Sequence, residues 1–179
     1  MSQNQPKAVI ITGPGFQDEE VVYPYYRLQE AECLVDIATN EGAIVHGKYG
    51  VPARATMPTS SLDADQFDLV ILPGGFEAPD RVRLDKAVLR FVSEMNNRGK
   101  LIGAICHGPW ILISAGVVKG RRVTGYQSIA DDIRNAGADY IDAPVVEDRN
   151  LVTSPHYRDN GIFMRTLLEK LTVQLNDRA

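Results

Sequence analysis

Three short runs in this chain are apolar nearly from end to end: Lys7–Thr12 (KAVIIT), Phe67–Leu72 (FDLVIL) and Leu101–Ile105 (LIGAI). A strand without polar alternation has both faces buried, which points to a parallel sheet covered on both sides. The segments between such runs carry the helical period that covering requires. Asp85–Arg98 places Val88, Leu89, Val92 and Met95 on one stripe and is followed by Gly99, a C-cap residue. Val21–Ala31 reads as a helix with Pro24 in its first turns, Pro109–Ala115 as another, Ile129–Ala136 as one stopped by Gly137, and Asn160–Leu175 as a final amphipathic helix. Cys33–Ala38 alternates like a strand. Ala43–Val51 suits a strand or hairpin broken at Gly47 and Gly50, and Val145–Asp148 with Leu151–Ser154 suit a hairpin across Arg149-Asn150. Alternating strands and helices predict an α/β fold with a mainly parallel sheet.

The chain has 179 residues, 44% of them hydrophobic, enough for one domain over 1–179, with residues 1–6 expected as a loose tail. Its net charge of −4 offers no electrostatic footprint for nucleic acid and no basic membrane patch. No apolar run approaches the roughly 20 residues that span a bilayer, and MSQNQPK has no apolar region of a signal peptide. Two cysteines, Cys33 and Cys106, do not form a disulfide scaffold, so a reduced, cytoplasmic setting is expected.

In sheets of this kind ligands bind beyond the carboxyl ends of the strands. Three loops leave there: Gly13–Glu20, Pro73–Asp80 and Cys106–Pro109. The last is the most specific. A tight strand-to-helix turn forces its central residue into strained geometry and needs small neighbours two before and two after, which Ala104 and Gly108 supply around Cys106. The helix N-terminus that follows is expected to lower the thiol pKa. The N–H of His107 is placed to donate to a developing oxyanion, with Gly75 as a second donor. Cys33, without small neighbours or a histidine, reads as packing.

Other groups are weaker on sequence alone. Glu19 and Glu20 suit the first turn of a helix, where acids complement the dipole, although a buried carboxyl beside a thiol can also move protons. Asp80 and Arg81, after Pro79, suit a helix start. His107 is a candidate base, and His156, after the second hairpin, is placed to reach the same mouth. His46 has no evident role. No spacing of histidines and cysteines suits a metal, and Gly13-Pro-Gly15 lacks the third glycine of a dinucleotide fingerprint. The run Arg81, Arg83, Lys86 and Arg90 reads as a solvated helix face.

Five pieces in order carry a resemblance: Glu20-Val-Val-Tyr-Pro-Tyr25, Leu72-Pro-Gly-Gly75, Pro79-Asp-Arg-Val-Arg-Leu84, Ala104-Ile-Cys-His-Gly-Pro109 and Ile113-Ser-Ala-Gly-Val117. From about Lys7 to Leu171 the chain resembles the ThiJ/PfpI superfamily, a class I glutamine amidotransferase-like group, and most of all its PfpI-type intracellular peptidase-like branch. The resemblance implies a flavodoxin-like three-layer α/β sandwich with a nucleophile elbow. It implies Cys106 as nucleophile or redox centre, Glu20 as the acid contacting its sulfur, and an oxyanion site from the Gly75 and His107 N–H groups beside Gly74. It implies a triad of Cys106, His107 and an acid from a neighbouring subunit, which maps to Asp80, and hence a dimer at least and a hexamer in close relatives. Two departures stand out. The triad acid is usually glutamate and the loop before Asp80 is one residue longer here. A Phe-Glu pair appears as Phe16-Gln17, so a pocket carboxylate is lost. Both weigh against peptidase chemistry more than against thiol chemistry.

Three functions are therefore expected to compete on one scaffold. The first is a cofactor-independent thiol enzyme acting on small reactive carbonyls, such as methylglyoxal converted to lactate, or on their early adducts. The second is a cysteine peptidase or amidase with Cys106, His107 and Asp80. The third is a non-enzymatic oxidation sensor or chaperone centred on Cys106. Tyr126, Trp110 and His156 are expected to shape the pocket. No cofactor, metal, nucleic acid or membrane partner is expected.

Overall fold

The computed structural model describes residues 5–177. The first four residues of the expected tail lie outside the described residues. Pro6 is already tied in, since its carbonyl accepts from the Leu34 N–H at 2.8 Å. In chain order the elements are β1 (Lys7–Ile11), α1 (Asp18–Glu30), β2 (Leu34–Thr39), β3 (Val45–His46), β4 (Pro52–Ala53), β5 (Met57–Pro58), β6 (Leu69–Leu72), α2 (Glu77–Val82), α3 (Lys86–Asn97), β7 (Leu101–Ile105), α4 (Pro109–Ser114), β8 (Arg122–Val123), α5 (Ala130–Asn135), β9 (Asp139–Tyr140), β10 (Val146–Asp148), β11 (Leu151–Ser154) and α6 (Asn160–Asn176). None of the described helices is long and apolar enough to cross a membrane.

Seven strands form one sheet in the order β10-β11-β7-β6-β1-β2-β5. All neighbours are parallel except the β10–β11 hairpin at the edge. The strand alternation sorts side chains into two cores. From β1, Ala8 and Ile10 join Phe16, Leu28, Phe163, Met164 and Leu167 on the α1/α6 side. Val9 and Ile11 join Val88, Phe91, Val92, Met95, Ile111 and Leu112 on the α3/α4 side. This is the three-layer α/β sandwich expected from the continuous apolar runs, each of which is buried on both faces.

Some boundaries differ from the sequence expectation. The first helix starts at Asp18 rather than Val21, so Pro24 lies in its interior. Proline has no N–H to give the carbonyl four residues back, here that of Glu20. The strand expected from Cys33 begins at Leu34, with Cys33 buried just before it. The basic run is split between two helices, where Arg81 pairs with Glu77 and Arg83 bonds Ser114. The short strands β5, β8 and β9 and the six-residue helix α2 have too few residues to show a period.

Gly103 sets how closely α6 approaches the sheet. A Cβ there would stand 2.7 Å from Leu167 Cδ1 and 3.0 Å from Phe163 Cζ. Gly103→Val is therefore expected to lose about 1–3 kcal/mol of unfolding free energy, the usual range for overpacking. Urea denaturation measures it, and a change under about 0.5 kcal/mol would mean α6 is not held against this strand.

Candidate active site

The chain turns sharply where β7 ends. Cys106 has φ 61°, in the left-handed region that residues with a Cβ seldom occupy. Both of its peptide groups are committed. Its N–H donates to the Ser154 carbonyl at 2.9 Å, and its carbonyl accepts from the Tyr126 N–H at 2.8 Å. Gly108 then has to be glycine, because a Cβ there would run into the Leu72 carbonyl oxygen. Strain of this kind costs about 1–3 kcal/mol and persists only where the surroundings over-determine it. Its effect is to lift the Cys106 side chain off the strand end while leaving it nearly buried, at 8% exposure.

The loop after β6 closes on the sulfur. The N–H groups of Gly75 and His107 both donate to Cys106. Gly74 fills the corner between them: a Cβ there would be 2.6 Å from Cys106 Cβ and 2.8 Å from His107 N. Gly75, at φ 81°, would drive a Cβ to 2.5 Å from the Gly15 carbonyl oxygen, so this loop and the loop after β1 pack backbone to backbone. The β3–β4 hairpin holds that second loop from outside. Gly15 N–H donates to the His46 carbonyl at 2.8 Å, and the buried Asp18 carboxylate accepts from the N–H groups of Tyr49 and Val51 at 2.9 and 3.0 Å.

Glu20 comes from α1 and is fully buried. One carboxyl oxygen accepts from the Gly74 N–H at 2.6 Å. The other is buried without an ordinary hydrogen-bond partner, which leaves the Cys106 thiol to engage it. Burial pushes the Glu20 pKa up to about 8, against the pull of the Gly74 N–H and the thiol and with a further push from Glu19. The acid is therefore mostly protonated at neutral pH and able to donate.

The expectation of a lowered thiol pKa is corrected. The two N–H donors do favour the thiolate, but burial and then the charge of Glu20 outweigh them and push Cys106 up to about 12. The following helix α4 is only six residues long, and among the described residues no compensating cation acts on the sulfur. Cys106 thus rests as a thiol. Below the Glu20 pKa the carboxyl is neutral and no longer opposes ionisation by charge, while burial still does, so ionisation calls for a nearby proton acceptor. His107 Nδ1 stands 3.2 Å from the sulfur. Burial holds this imidazole below its usual range, so it is neutral at pH 7 and free to accept.

The expected site residues are not all brought together. Tyr126 stacks on His107 with ring centroids 5.0 Å apart, Trp110 meets the same ring edge-on at 5.0 Å, and His156 lies 6.0 Å from Tyr126. These rings form one wall of the site. Glu19, next to Glu20, stays exposed and accepts from Gln17 Nε2 at 2.7 Å, so Gln17 holds a neighbouring acid where a carboxylate was expected. Asp80 lies exposed on α2, and among the described residues no hydrogen bond or ion pair joins it to His107. The group that does meet His107 Nε2 is the hydroxyl of Ser128, at 3.2 Å. Nothing in Tyr126-Gln-Ser128 announces it, because it is brought in by a loop crossing from a different strand end.

Comparison with known proteins identifies the family and agrees with the fold. The sequence profile of the DJ-1/PfpI family matches residues 6–170. Deglycase PfpI of Pyrococcus furiosus is 42% identical, over 92% of this chain and 99% of its own length. The putative cysteine protease YraA of Bacillus subtilis is 39% identical, over 92% of this chain and 96% of its own. The crystal structure of Drosophila melanogaster DJ-1beta superposes with a TM-score of 0.88 at 28% identity, covering 94% of this chain and 91% of that one. With a family profile spanning nearly every described element and relatives matched end to end at these identities, the chain belongs to the DJ-1/PfpI family.

Proposed function

We propose that the chain is a cofactor-independent thiol enzyme of the deglycase type, acting on small reactive carbonyls and their early adducts. The observation that carries this reading is the pairing of Cys106 with a fully buried, largely protonated Glu20 on one side and a neutral His107 on the other. The relatives named deglycases support it. With methylglyoxal, His107 Nδ1 takes the thiol proton as sulfur adds to the aldehyde carbon. The resulting alkoxide, facing the Gly75 and His107 N–H groups, is protonated by Glu20 to give a hemithioacetal. The carboxylate of Glu20 then removes the proton from that carbon, the His107 imidazolium protonates the neighbouring oxygen to give the enediol, and Glu20 returns its proton to the second carbon as the first carbon's hydroxyl gives its proton back to His107, which later passes it to the departing thiolate. This leaves a lactoyl thioester on Cys106, which water hydrolyses to lactate and free thiol. An acid near 8 suits both directions of this transfer at neutral pH.

A peptidase reading has one observation in its favour, the name of the YraA relative. It requires Asp80 to reach His107 from another copy. We propose self-association through the face where Tyr23, Tyr26, Tyr49 and Val51 are exposed around a groove of ≈ 760 Å³ on α1 and the β3–β4 hairpin. A second copy suits it because Arg27 and Glu30 on its margin, which pair with each other at 3.1 Å, give a two-fold-related copy both charges with which to exchange partners. Sedimentation of wild type and Tyr26→Glu tests this. A dimer or larger species weakened in the variant is expected, and a monomeric wild type at micromolar concentration overturns it.

The function itself is tested by lactate formation from methylglyoxal in amine-free buffer. Wild type should produce it without glutathione, and Cys106→Ser and Glu20→Gln should each lose about 10²-fold or more, as for removal of a nucleophile or its acid–base partner. Equal rates in wild type and Cys106→Ser would discard the carbonyl enzyme. Amide cleavage that falls in Asp80→Asn would replace it with the peptidase, and peroxide-dependent mass gain without any turnover would replace it with the sensor.

Activity should rise as His107 loses its proton below the usual imidazole range and fall as Glu20 loses its own near 8. Stability follows the same acid. Glu20 binds its proton more tightly folded than unfolded, so its contribution is full below the unfolded value of 4.5 and is lost as pH rises toward 8. Melting temperatures from pH 4 to 9 should decline in wild type more steeply than in Glu20→Gln across that window. Parallel curves would mean the carboxyl is not buried as described.

A further inference from the structure

The first turn of α1 carries three acids, and each has a different place. Glu20 meets Cys106 and Glu19 is exposed. Asp18 is only 6% exposed and faces neither the sulfur nor solvent. Its Oδ2 accepts from the Tyr49 N–H at 2.9 Å and its Oδ1 from the Val51 N–H at 3.0 Å. An acid at a helix start ordinarily turns to the free N–H groups of its own helix. Here both oxygens go to another segment, the tip of the β3–β4 hairpin. Room is kept for them, since a Cβ on Gly47 would stand 2.5 Å from the Asp18 carboxyl carbon. Every N–H from Gly47 to Val51 is bonded. Gly47 and Gly50 donate within the tip, Lys48 donates to the Phe16 carbonyl at 2.8 Å, and Tyr49 and Val51 donate to Asp18. Asp18 thus takes two of the three hydrogen bonds that these groups send out of the tip.

The tip is held against the loop after β1, and that loop orients a peptide of the site. Gly15 N–H donates to the His46 carbonyl at 2.8 Å, so the hairpin bonds Gly15 and Phe16 in succession. Gln17, the residue before Asp18, donates its N–H to the Gly74 carbonyl at 3.2 Å. The N–H on the other side of that same peptide belongs to Gly75 and donates to Cys106. In a planar trans peptide the carbonyl and the N–H point in opposite directions, so anchoring one aims the other. The contact has no slack, because a Cβ on Gly75 would be 2.5 Å from the Gly15 carbonyl oxygen and 2.7 Å from Gln17 N. We propose that Asp18 is the positioning residue for the Gly74–Gly75 peptide: by clasping the hairpin tip to the start of α1 it holds the Gly13–Gln17 loop against that peptide and aims the Gly75 N–H at the reacting centre.

The proposal rests on the reading of Gly75 as an oxyanion donor at Cys106, and the experiment separates it from the choice of substrate. Amide hydrogen exchange is followed by NMR in wild type, Asp18→Asn and Gly47→Ala. Asparagine keeps the size of the side chain but loses one acceptor oxygen, and alanine at 47 displaces the carboxyl from the side of the hairpin, away from the core. In both variants the Tyr49 and Val51 amides should exchange about tenfold faster, the scale of a lost hydrogen bond to a charged group. The Gly75 amide should follow them, while Ile10 in the middle of β1 keeps its wild-type rate. With methylglyoxal, kcat should fall about tenfold with KM changed by less than about twofold, because an oxyanion donor acts in the transition state. Tyr49 and Val51 amides that stay protected overturn the proposal, as does their release with Gly75 unchanged. So does a Gly75 rate that rises only in step with Ile10, which is general loss of stability, or an unchanged kcat in variants of an active wild type. If the Gly75 amide follows Asp18 while wild type turns over no carbonyl, the positioning role stands and the deglycase reading falls.

Discussion

The elbow at Cys106 is a strained residue held by two hydrogen bonds and one close steric fit, from three separate parts of the chain. Ser154 at the end of β11 takes its N–H, Tyr126 gives its own N–H to the Cys106 carbonyl, and Gly108 makes room for the Leu72 carbonyl at the end of β6. The ties to Ser154 and Leu72 run between neighbours in a parallel sheet whose strands are buried on both faces, and the Tyr126 tie comes from the loop after β8. The conformation of one residue therefore depends on the register of β6, β7 and β11, which pair residue for residue through Leu72, Ala104 and Thr153. Relaxing any one of these ties would let φ return to an ordinary value, turning the thiol away from the two N–H donors.

The fold is legible because burial on both faces of a short strand leaves a plain signature. KAVIIT, FDLVIL and LIGAI all lie where periodicity places them, and so does the hairpin across Arg149-Asn150. Two-residue strands such as β8 and β9 carry no period to read. At the site, Cys106 was legible because steric need dictates its neighbours: glycine at 108 and alanine at 104 are requirements of the turn. Glu20 was not separable from a helix-capping acid by sequence alone, since burial of a side chain depends on what α1 packs against. Ser128 was invisible for a stronger reason, because a serine in a loop acquires a partner only through the path of a different segment. The thiol pKa was misread because helix N-terminus and N–H donors are local features, whereas the desolvation that opposes them comes from the whole fold.

That correction changes how the site must work. A pre-formed thiolate needs no base, but a buried thiol beside an acid does. Placing a neutral imidazole 3.2 Å away supplies one, and placing a carboxyl with a pKa near 8 on the opposite side supplies a proton to whatever oxygen receives the sulfur's electrons. In the reaction proposed above, the thiolate exists chiefly during attack, when the developing negative charge passes from sulfur to a substrate oxygen facing the Gly75 and His107 N–H groups. On the proposed reading, burial, which at first sight disfavours the nucleophile, couples its ionisation to the arrival of a substrate.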